Sequence, residues 1–563
     1  MTLQSQIPHA DPLALGLEDR AWVEAQLASL STEDKIGQLF IFAAEQDTLE
    51  EIEMLARLKP GGIHRFPGHD LGPAWAATRA AIDSAETPVV ISGDIEGGTI
   101  SYRFATAIPN QLGIAACDDV ALTAELARVV AEESAALGYN WSFTPVIDIN
   151  HAWRNPVVGT RSFGSDVDRI GAQARAYIST LQAHGVAATA KHWPGDGYDD
   201  RDQHLATTVN PLDMQEWEAG FGKLYRQVIG EGVMTVMSAH IALPEFVRSL
   251  IPDAGREAFR PASVSRLLNQ VLLRERLGFK GLIVSDATGM AGLTSWADRE
   301  ERVPAVIENG CDMFLFSRSP AEDVALMLKG LREGRLSERR LEEAVERVLS
   351  FKAKLGLHRK TVEERLPPLE TVRERLRKPA NLQVAERAAG QGVTLVKDAQ
   401  RLLPLDPARH RRVTIIEDAG WSFFVGAQPR DLTPFKDALR AAGFEVRDFD
   451  PDNRPTRADC DLVLYLAGQE ATPTLGNIFL DWGKLHGGSR KAMHRFGHEI
   501  PTLMISLGQP YYLFDAPETA TYVNAYCGLE SVQHALVPRL LGQMPFTGVS
   551  PVDPFCGLEQ LKW

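Results

Sequence analysis

Four stretches of this 563-residue chain end an apolar run in ionisable side chains: ISGDIEGG (91–98), ATAKHWPGDG (188–197), VMSAHI (236–241) and LIVSDATGM (282–290). A core strand has no local reason to stop at Asp94, Lys191, His192, His240 or Asp286, whereas a site assembled on strand ends does. Carboxylates beside Lys and His suit nucleophilic attack and proton transfer. Any one of the five also fits a surface loop or an internal hydrogen bond; their recurrence at equivalent strand ends is what predicts a shared pocket mouth.

The segment KHWPGDGYDDRDQH (191–204) runs out of one of these strands through Pro194, Gly195 and Gly197. It reads as a long exposed loop that carries Asp202 and His204 back over the pocket. An Asp two positions before a His can bond the imidazole, fix its tautomer and raise its basicity, as a proton-transferring His requires. The crowding of Asp196, Asp199, Asp200 and Asp202 equally fits an acidic, solvated loop, and composition does not choose between the two.

The elements that must position these residues follow a βα rhythm. Short β-branched runs at 36–43, 61–66, 88–94, 140–147, 185–191, 233–240, 280–286 and 311–317 alternate with amphipathic stretches such as 119–138 and 337–356. Eight such strands favour a closed (β/α)8 barrel over an open sheet. Gly356 suits a left-handed helix stop. Residues 357–384 turn charged and proline-bearing and read as a solvated linker. Beyond them VTLVKD, RVTIIED, FEVRDFD, DLVLYLAG, PTLMISLG and TYVNAYC read as strands, with helices near 433–442 and 530–542. The fold class is therefore α/β: an N-terminal TIM-type barrel (1–356), a linker (357–384) and a smaller α/β layered sandwich domain (385–563).

Composition excludes several function classes. With 59 Lys+Arg against 74 Asp+Glu the formal charge is −15, which disfavours nucleic acid and anionic membrane surfaces as partners. The first residues show no basic-then-apolar leader pattern, and no run reaches the ~18 apolar residues of a membrane span, so a soluble, cytoplasmic location is expected. Five dispersed cysteines without CxxC spacing suggest neither disulfides nor a zinc ribbon. No GxGxxG or GxxxxGK[ST] loop is present, and neither cofactor nor metal is predicted.

With these motifs in view, KHxPGxG followed by DxH resembles the signature of the family-3 β-N-acetylglucosaminidases, the group that includes peptidoglycan-recycling enzymes. GDIEGG (93–98), NPVVGTRSFG (155–164), VMSAHI, PASVSRLLNQVLLRERLGFKGLIVSD (261–286) and NGCDMFLF (309–316) agree in order, and GVTLVKDAQRLLPL (392–405) and LLGQMPFTGVSPV (540–552) extend the likeness weakly into the second domain. The resemblance implies a retaining, exo-acting glycosidase with Asp286 as nucleophile, and His204 with Asp202 in place of the usual Glu acid/base. It implies that Asp94, Arg161, Lys191 and His192 hold the terminal sugar; His240, at an equivalent strand end, is expected to bind substrate beside them. Its substrates would be small N-acetylglucosaminides: chitobiose, muropeptide fragments or other glycosides.

Three positions depart from the pattern: Asp196 for a second His, Trp193 for Phe, and Gln203 for Ser inside DxH. An extra carboxylate at 196 could raise the His204 pKa or recruit a different aglycone. A second domain of this kind can supply an acid/base Glu in family-3 β-glucosidases; with DxH present, a structural or outer-subsite role is expected. Rival readings are a β-glucosidase, a metal-dependent amidohydrolase and a non-catalytic sugar-binding protein. The amidohydrolase needs an HxH pair that IGQLFIFAAEQ (36–46) lacks. Phosphate in place of water as acceptor stays open, because a His base adds no charge to repel an anion.

Overall fold

The computed structural model describes residues 11–66, 70–98, 100, 102–422, 429–497 and 499–563. Residues 1–10, part of the expected leaderless start, lie outside the described residues. Among the described residues, eight parallel strands form the barrel of the first domain: β1 (Phe40–Ala44), β2 (Gly62–Arg65), β3 (Val90–Gly93), β4 (Trp141–Ser142), β5 (Thr189–Trp193), β6 (Thr235–Ser238), β7 (Leu282–Ser285) and β8 (Phe314–Leu315). They are rich in β-branched, aromatic and other apolar residues, which suit a pleated surface buried on both faces. The ladder runs β8–β1–β2–β3–β4 in one arc and β5–β6–β7 in another. Single parallel bridges, Trp141 to Ala187 and Val284 to Met313, join the arcs into a closed ring. This is the TIM-type barrel expected from the alternation.

One strand expectation needs trimming. Residues 36–38 belong to the helix Thr32–Gln38, because the Ser31 side chain accepts the Asp34 N–H and starts a helix there. The long outer helices fall at Val120–Ala136 and Glu338–Lys354, and Gly356 takes φ 68°, the left-handed stop. Trp141, Phe143, Met237, Leu282 and Leu315 belong to one buried apolar cluster, and the Trp141 indole N–H faces the Thr189 and Thr235 hydroxyls at 2.9 and 3.0 Å. These polar atoms of the barrel interior are thus paired with each other.

At the amino-terminal end of the strands Asp312 is fully buried. It meets Arg274 at 2.7 Å, Arg340 at 2.7 Å and Arg347 at 2.6 Å, tying two outer regions to β7 and β8. Burial opposes its charge, but Arg347, Arg274 and Arg340 hold the carboxyl down at about 2. A buried charge cluster at this end of a barrel, opposite the face that carries the cavity, serves stability rather than chemistry. Asp312→Asn is therefore expected to lower stability by about 3–5 kcal/mol, since Arg340 and Arg274 lose their counter-ion while buried. Denaturant midpoints check this. In the parent protein the contribution is full above the unfolded value of 3.8 and is lost as pH falls through about 2, so the gap between parent and variant should close in acid.

The second domain carries β9 (Thr394–Asp398), β10 (Arg412–Asp418), β11 (Glu445–Asp448), β12 (Leu462–Ala467), β13 (Thr502–Ser506) and β14 (Thr521–Asn524). Their order is β9–β14–β13–β12–β10–β11, parallel except for β9 against β14. Alternate residues feed two cores. Leu462, Leu464, Leu503 and Ile505 pack with Phe435, Leu439 and Leu536 of the helices Thr433–Ala441 and Glu530–Leu540, whereas Val463, Tyr465 and Met504 pack with Leu485 and Leu513. A layered α/β sandwich results.

The stretch 357–384, expected to be solvated, is packed instead. It holds the helices Val362–Arg365 and Leu369–Arg375 and the start of Pro379–Gln391, with Leu366 and Val372 fully buried against the barrel core. Its charged residues mask an i, i+3/i+4 apolar stripe too short to stand out. No helix among the described residues is long and apolar enough to cross a membrane.

Candidate functional site

At the carboxyl ends of the strands lies a cavity of about 740 Å³ lined by Asp94, Arg161, Lys191, His192, His204 and Asp286, among others. Asp94 follows β3, Lys191 and His192 lie at the end of β5, and Asp286 follows β7. The side chains expected at one mouth are therefore brought together, with one exception.

His240 is fully buried and does not line the cavity. Its Nε2 lies 2.9 Å from the Ala287 carbonyl and its Nδ1 2.8 Å from the Ser263 hydroxyl. Burial pushes its imidazole below the usual range, so the ring is neutral at pH 7. A carbonyl can only accept, hence Nε2 carries the proton and Nδ1 accepts from Ser263. Both nitrogens are spent, so the expected ligand-binding role is replaced by a positioning one: His240 fixes the backbone just after Asp286.

Asp286 projects from a backbone held by its own N–H to the Ser238 carbonyl at 2.8 Å, while its Oδ1 accepts the Ala287 N–H at 2.7 Å. Burial favours the neutral acid, yet His192, His240 and His204 nearby, with the Ala287 N–H, hold the carboxyl below its ordinary range. Asp286 is thus an ionised carboxylate, 8% exposed and facing the cavity.

The other end of the cavity is a buried ion cluster. Lys191 Nζ stands 2.7 Å from Asp94 Oδ1 and 2.7 Å from Glu96 Oε1, and Arg161 grips Glu96 through Nε at 2.7 Å and a terminal nitrogen at 2.8 Å. Burial opposes the Glu96 charge, but Arg161 and Lys191 hold its carboxyl far below the carboxylate range. Burial likewise works against the Lys191 ammonium, and Asp94 and Glu96 outweigh it and raise its pKa. Asp94, its side chain 18% exposed, is left free to accept from a ligand. His64 stacks on Phe143 beneath it, its Nε2 3.6 Å from Asp94, and burial pushes it down to about 4 despite that carboxylate.

His192 Nδ1 lies 2.6 Å from Asp148 Oδ2, and the same carboxylate accepts the His192 and Asp196 N–H groups. Glu96 and Asp148 were not singled out from sequence, although GDIEGG and VIDIN both end apolar runs in carboxylates, the signal used for the other strands. Asp196 does not project into solvent: it is 3% exposed, and burial together with Asp148 pushes its carboxyl well above the ordinary range. Trp193 is a core residue packed edge-on to Trp217 and Tyr225.

The loop after β5 is less exposed than expected, because Asp202 and Gln203 are buried. The Asp202–His204 pair exists: Asp202 Oδ1 accepts the His204 backbone N–H at 2.8 Å and meets Nδ1 at 2.7 Å. An acceptor at Nδ1 leaves Nε2 for the cavity. Gln203 Oε1 accepts the His240 N–H, and the Gln203 and His204 carbonyls take the Gly292 and Ala291 N–H groups, clamping the loop beside Asp286. Asp202 Oδ2 takes the Thr474 N–H of the second domain at 2.7 Å, a contact no sequence signal announced. Glu470 of that domain does not line the cavity; it pairs with Arg430 and accepts from Asn110 Nδ2 at 2.8 Å. Among the described residues no three His, Cys, Asp or Glu side chains stand where they could share a metal ion.

The glycosyl hydrolase family 3 N-terminal domain model matches residues 31–351. A Cellulomonas fimi protein named β-N-acetylglucosaminidase/β-glucosidase is 38% identical over 97% of this chain and 98% of its own length. The chain belongs to glycoside hydrolase family 3. A Methylobacillus flagellatus β-hexosaminidase is 31% identical over 50% of this chain and 81% of its own. Among solved structures, a β-glucoside phosphorylase bound to 2FGlc superposes with a TM-score of 0.91 at 35% identity, covering 98% of this chain and 99% of that one. A family-3 β-N-acetylglucosaminidase from a Paenibacillus species, at TM-score 0.78 and 23% identity, covers 93% of this chain and 99% of that one and shares the fold. As a family-3 enzyme the chain is a glycoside hydrolase acting on carbohydrate, which sets aside the amidohydrolase and the non-catalytic sugar-binding readings.

Proposed function

We propose that the protein is a retaining, exo-acting β-N-acetylglucosaminidase that works through a covalent glycosyl-enzyme intermediate. One observation carries this reading: the Asp202-bonded imidazole of His204 and the ionised carboxylate of Asp286 line the same cavity. Asp286 attacks the anomeric carbon while protonated His204 gives its Nε2 proton to the leaving oxygen; the neutral imidazole then takes a proton from the acceptor that releases the sugar. Asp202 stays ionised, because burial is outweighed by its bonds to His204 and to the Thr474 N–H, and it stabilises the imidazolium.

Asp94, Lys191, Arg161 and His192 hold the terminal sugar. Asp94→Ala is expected to lower kcat/KM about ten- to a hundredfold, the scale of one hydrogen bond to a charged acceptor, with an unchanged circular dichroism spectrum. Loss of the fold would make Asp94 a scaffold residue instead.

A second reading concerns donor and acceptor. The Cellulomonas relative carries both activity names, and the structures that are 35% and 36% identical are of a β-glucoside phosphorylase. A neutral imidazole as base leaves an entering phosphate free of the repulsion a carboxylate would exert. Turnover of aryl N-acetylglucosaminide and aryl glucoside, each with and without phosphate, tests both. The proposal expects the N-acetylglucosaminide to be preferred, and a sugar 1-phosphate product would identify phosphate as acceptor. Preference for the glucoside would overturn the assignment.

A further inference from the structure

Asp202 is 2% exposed, and its carboxylate is shared between two domains: Oδ1 serves His204, and Oδ2 accepts the Thr474 N–H at 2.7 Å. We infer that the 469–476 loop of the second domain is a working part of the proton-transfer unit, with the Thr474 backbone amide as its positioning group. This rests on the reading of His204 as acid/base.

The loop is docked on the barrel at several points. The Ala471 N–H donates to Thr160 Oγ1 at 2.9 Å, the Thr472 N–H to the Pro156 carbonyl at 3.0 Å, and Asn110 Nδ2 to Glu470 at 2.8 Å. Of the residues held, Thr160 lies within the Gly159–Arg161 turn that carries Arg161 into the cavity, and Pro156 lies just before it. The loop therefore sets the register of Arg161 and Asp202 together.

Thr474 itself stands at φ 67°, a region that a β-branched residue rarely occupies because its side chain crowds the backbone. Such a conformation persists where the surroundings over-determine it. Here the left-handed turn aims the amide at Asp202, and Pro473 and Thr474 form part of the cavity wall. A buried carboxylate oxygen has no water to replace a lost donor. Without the Thr474 N–H the carboxylate would turn, and His204 would lose the partner that fixes its tautomer and stabilises its cation. The second domain thus completes the machinery through a backbone atom, and among its described residues Pro473 and Thr474, neither of them an acid, line the cavity.

The test deletes that atom. Amide-to-ester replacement at residue 474 removes the N–H and keeps the side chain, whereas Thr474→Gly retains the N–H on a backbone that accepts positive φ freely. Initial rates are read on a series of aryl N-acetylglucosaminides of graded leaving-group ability, beside His204→Ala. The ester is expected to slow the poorest leaving group about ten- to a hundredfold and the dinitrophenyl glycoside little, the rate equivalent of one hydrogen bond to a charged group. Thr474→Gly, which keeps the N–H, should retain the parent's ratio of rates between the poorest and the best leaving groups. A uniform loss across the series, or none, overturns the inference while the dyad stands, provided His204→Ala keeps its leaving-group dependence. If His204→Ala shows no such dependence, the acid/base reading itself fails.

Discussion

Asp286→Asn is expected to lower turnover by on the order of 10⁴-fold while leaving the barrel intact, a loss comparable to removing one member of a nucleophilic unit. The amide is a far weaker nucleophile than the carboxylate, and it carries no charge to oppose the cation that develops at the anomeric carbon. The fold should tolerate the change, because the Asp286 N–H remains bonded to Ser238 and an Asn oxygen can still accept the Ala287 N–H. Single-turnover assays report the rate, and unfolding curves check that stability is preserved. Trapping with a 5-fluoro glycoside should place the label on Asp286. A parent-like rate, or a label on another carboxylate, would remove Asp286 from the nucleophile role.

The second large effect belongs to His204. His204→Ala should slow substrates with poor leaving groups by about 10²–10⁴-fold, the usual contribution of a positioned acid, and activated aryl glycosides far less. Asp202→Asn should give a milder version. Both Asp202 oxygens accept N–H groups, so an amide nitrogen must face either the His204 or the Thr474 donor, and one hydrogen bond becomes a repulsion. Indifference of poor-leaving-group substrates to His204→Ala would send the search for the acid elsewhere. Glu470 would be a poor replacement, being committed to Arg430 and Asn110.

The barrel and the strand ends that line its cavity were legible in the chain because the relevant signals are local. Burial on both faces demands continuous apolar strands, outer helices need a 3.6-residue stripe, and a strand that ends in Asp or Lys betrays a site at the carboxyl face. Those rules located all eight strands to within a few residues, and they singled out Asp94, Lys191, His192 and Asp286 as neighbours. They also paired Asp202 with His204, which are only two residues apart.

Other features depended on elements that meet only in the folded molecule. Whether a strand-end residue faces a ligand or an internal partner is a matter of tertiary register: His240 looks like its fellows in sequence, yet Ser263 and Ala287 consume both of its nitrogens. Counter-charges are similarly remote, since Glu96 finds Arg161 and Lys191 across the barrel mouth, and Asp312 gathers arginines from two helical regions. The Asp202–Thr474 bond spans 272 residues and uses a backbone N–H, a group every residue except proline carries. By itself the sequence determined the barrel, the face that carries its cavity and the pairing of neighbouring side chains, because periodicity and short spacing are local properties. Only tertiary structure decided which charges neutralise each other and how the second domain reaches the site, because burial and hydrogen bonding are set by distance in space.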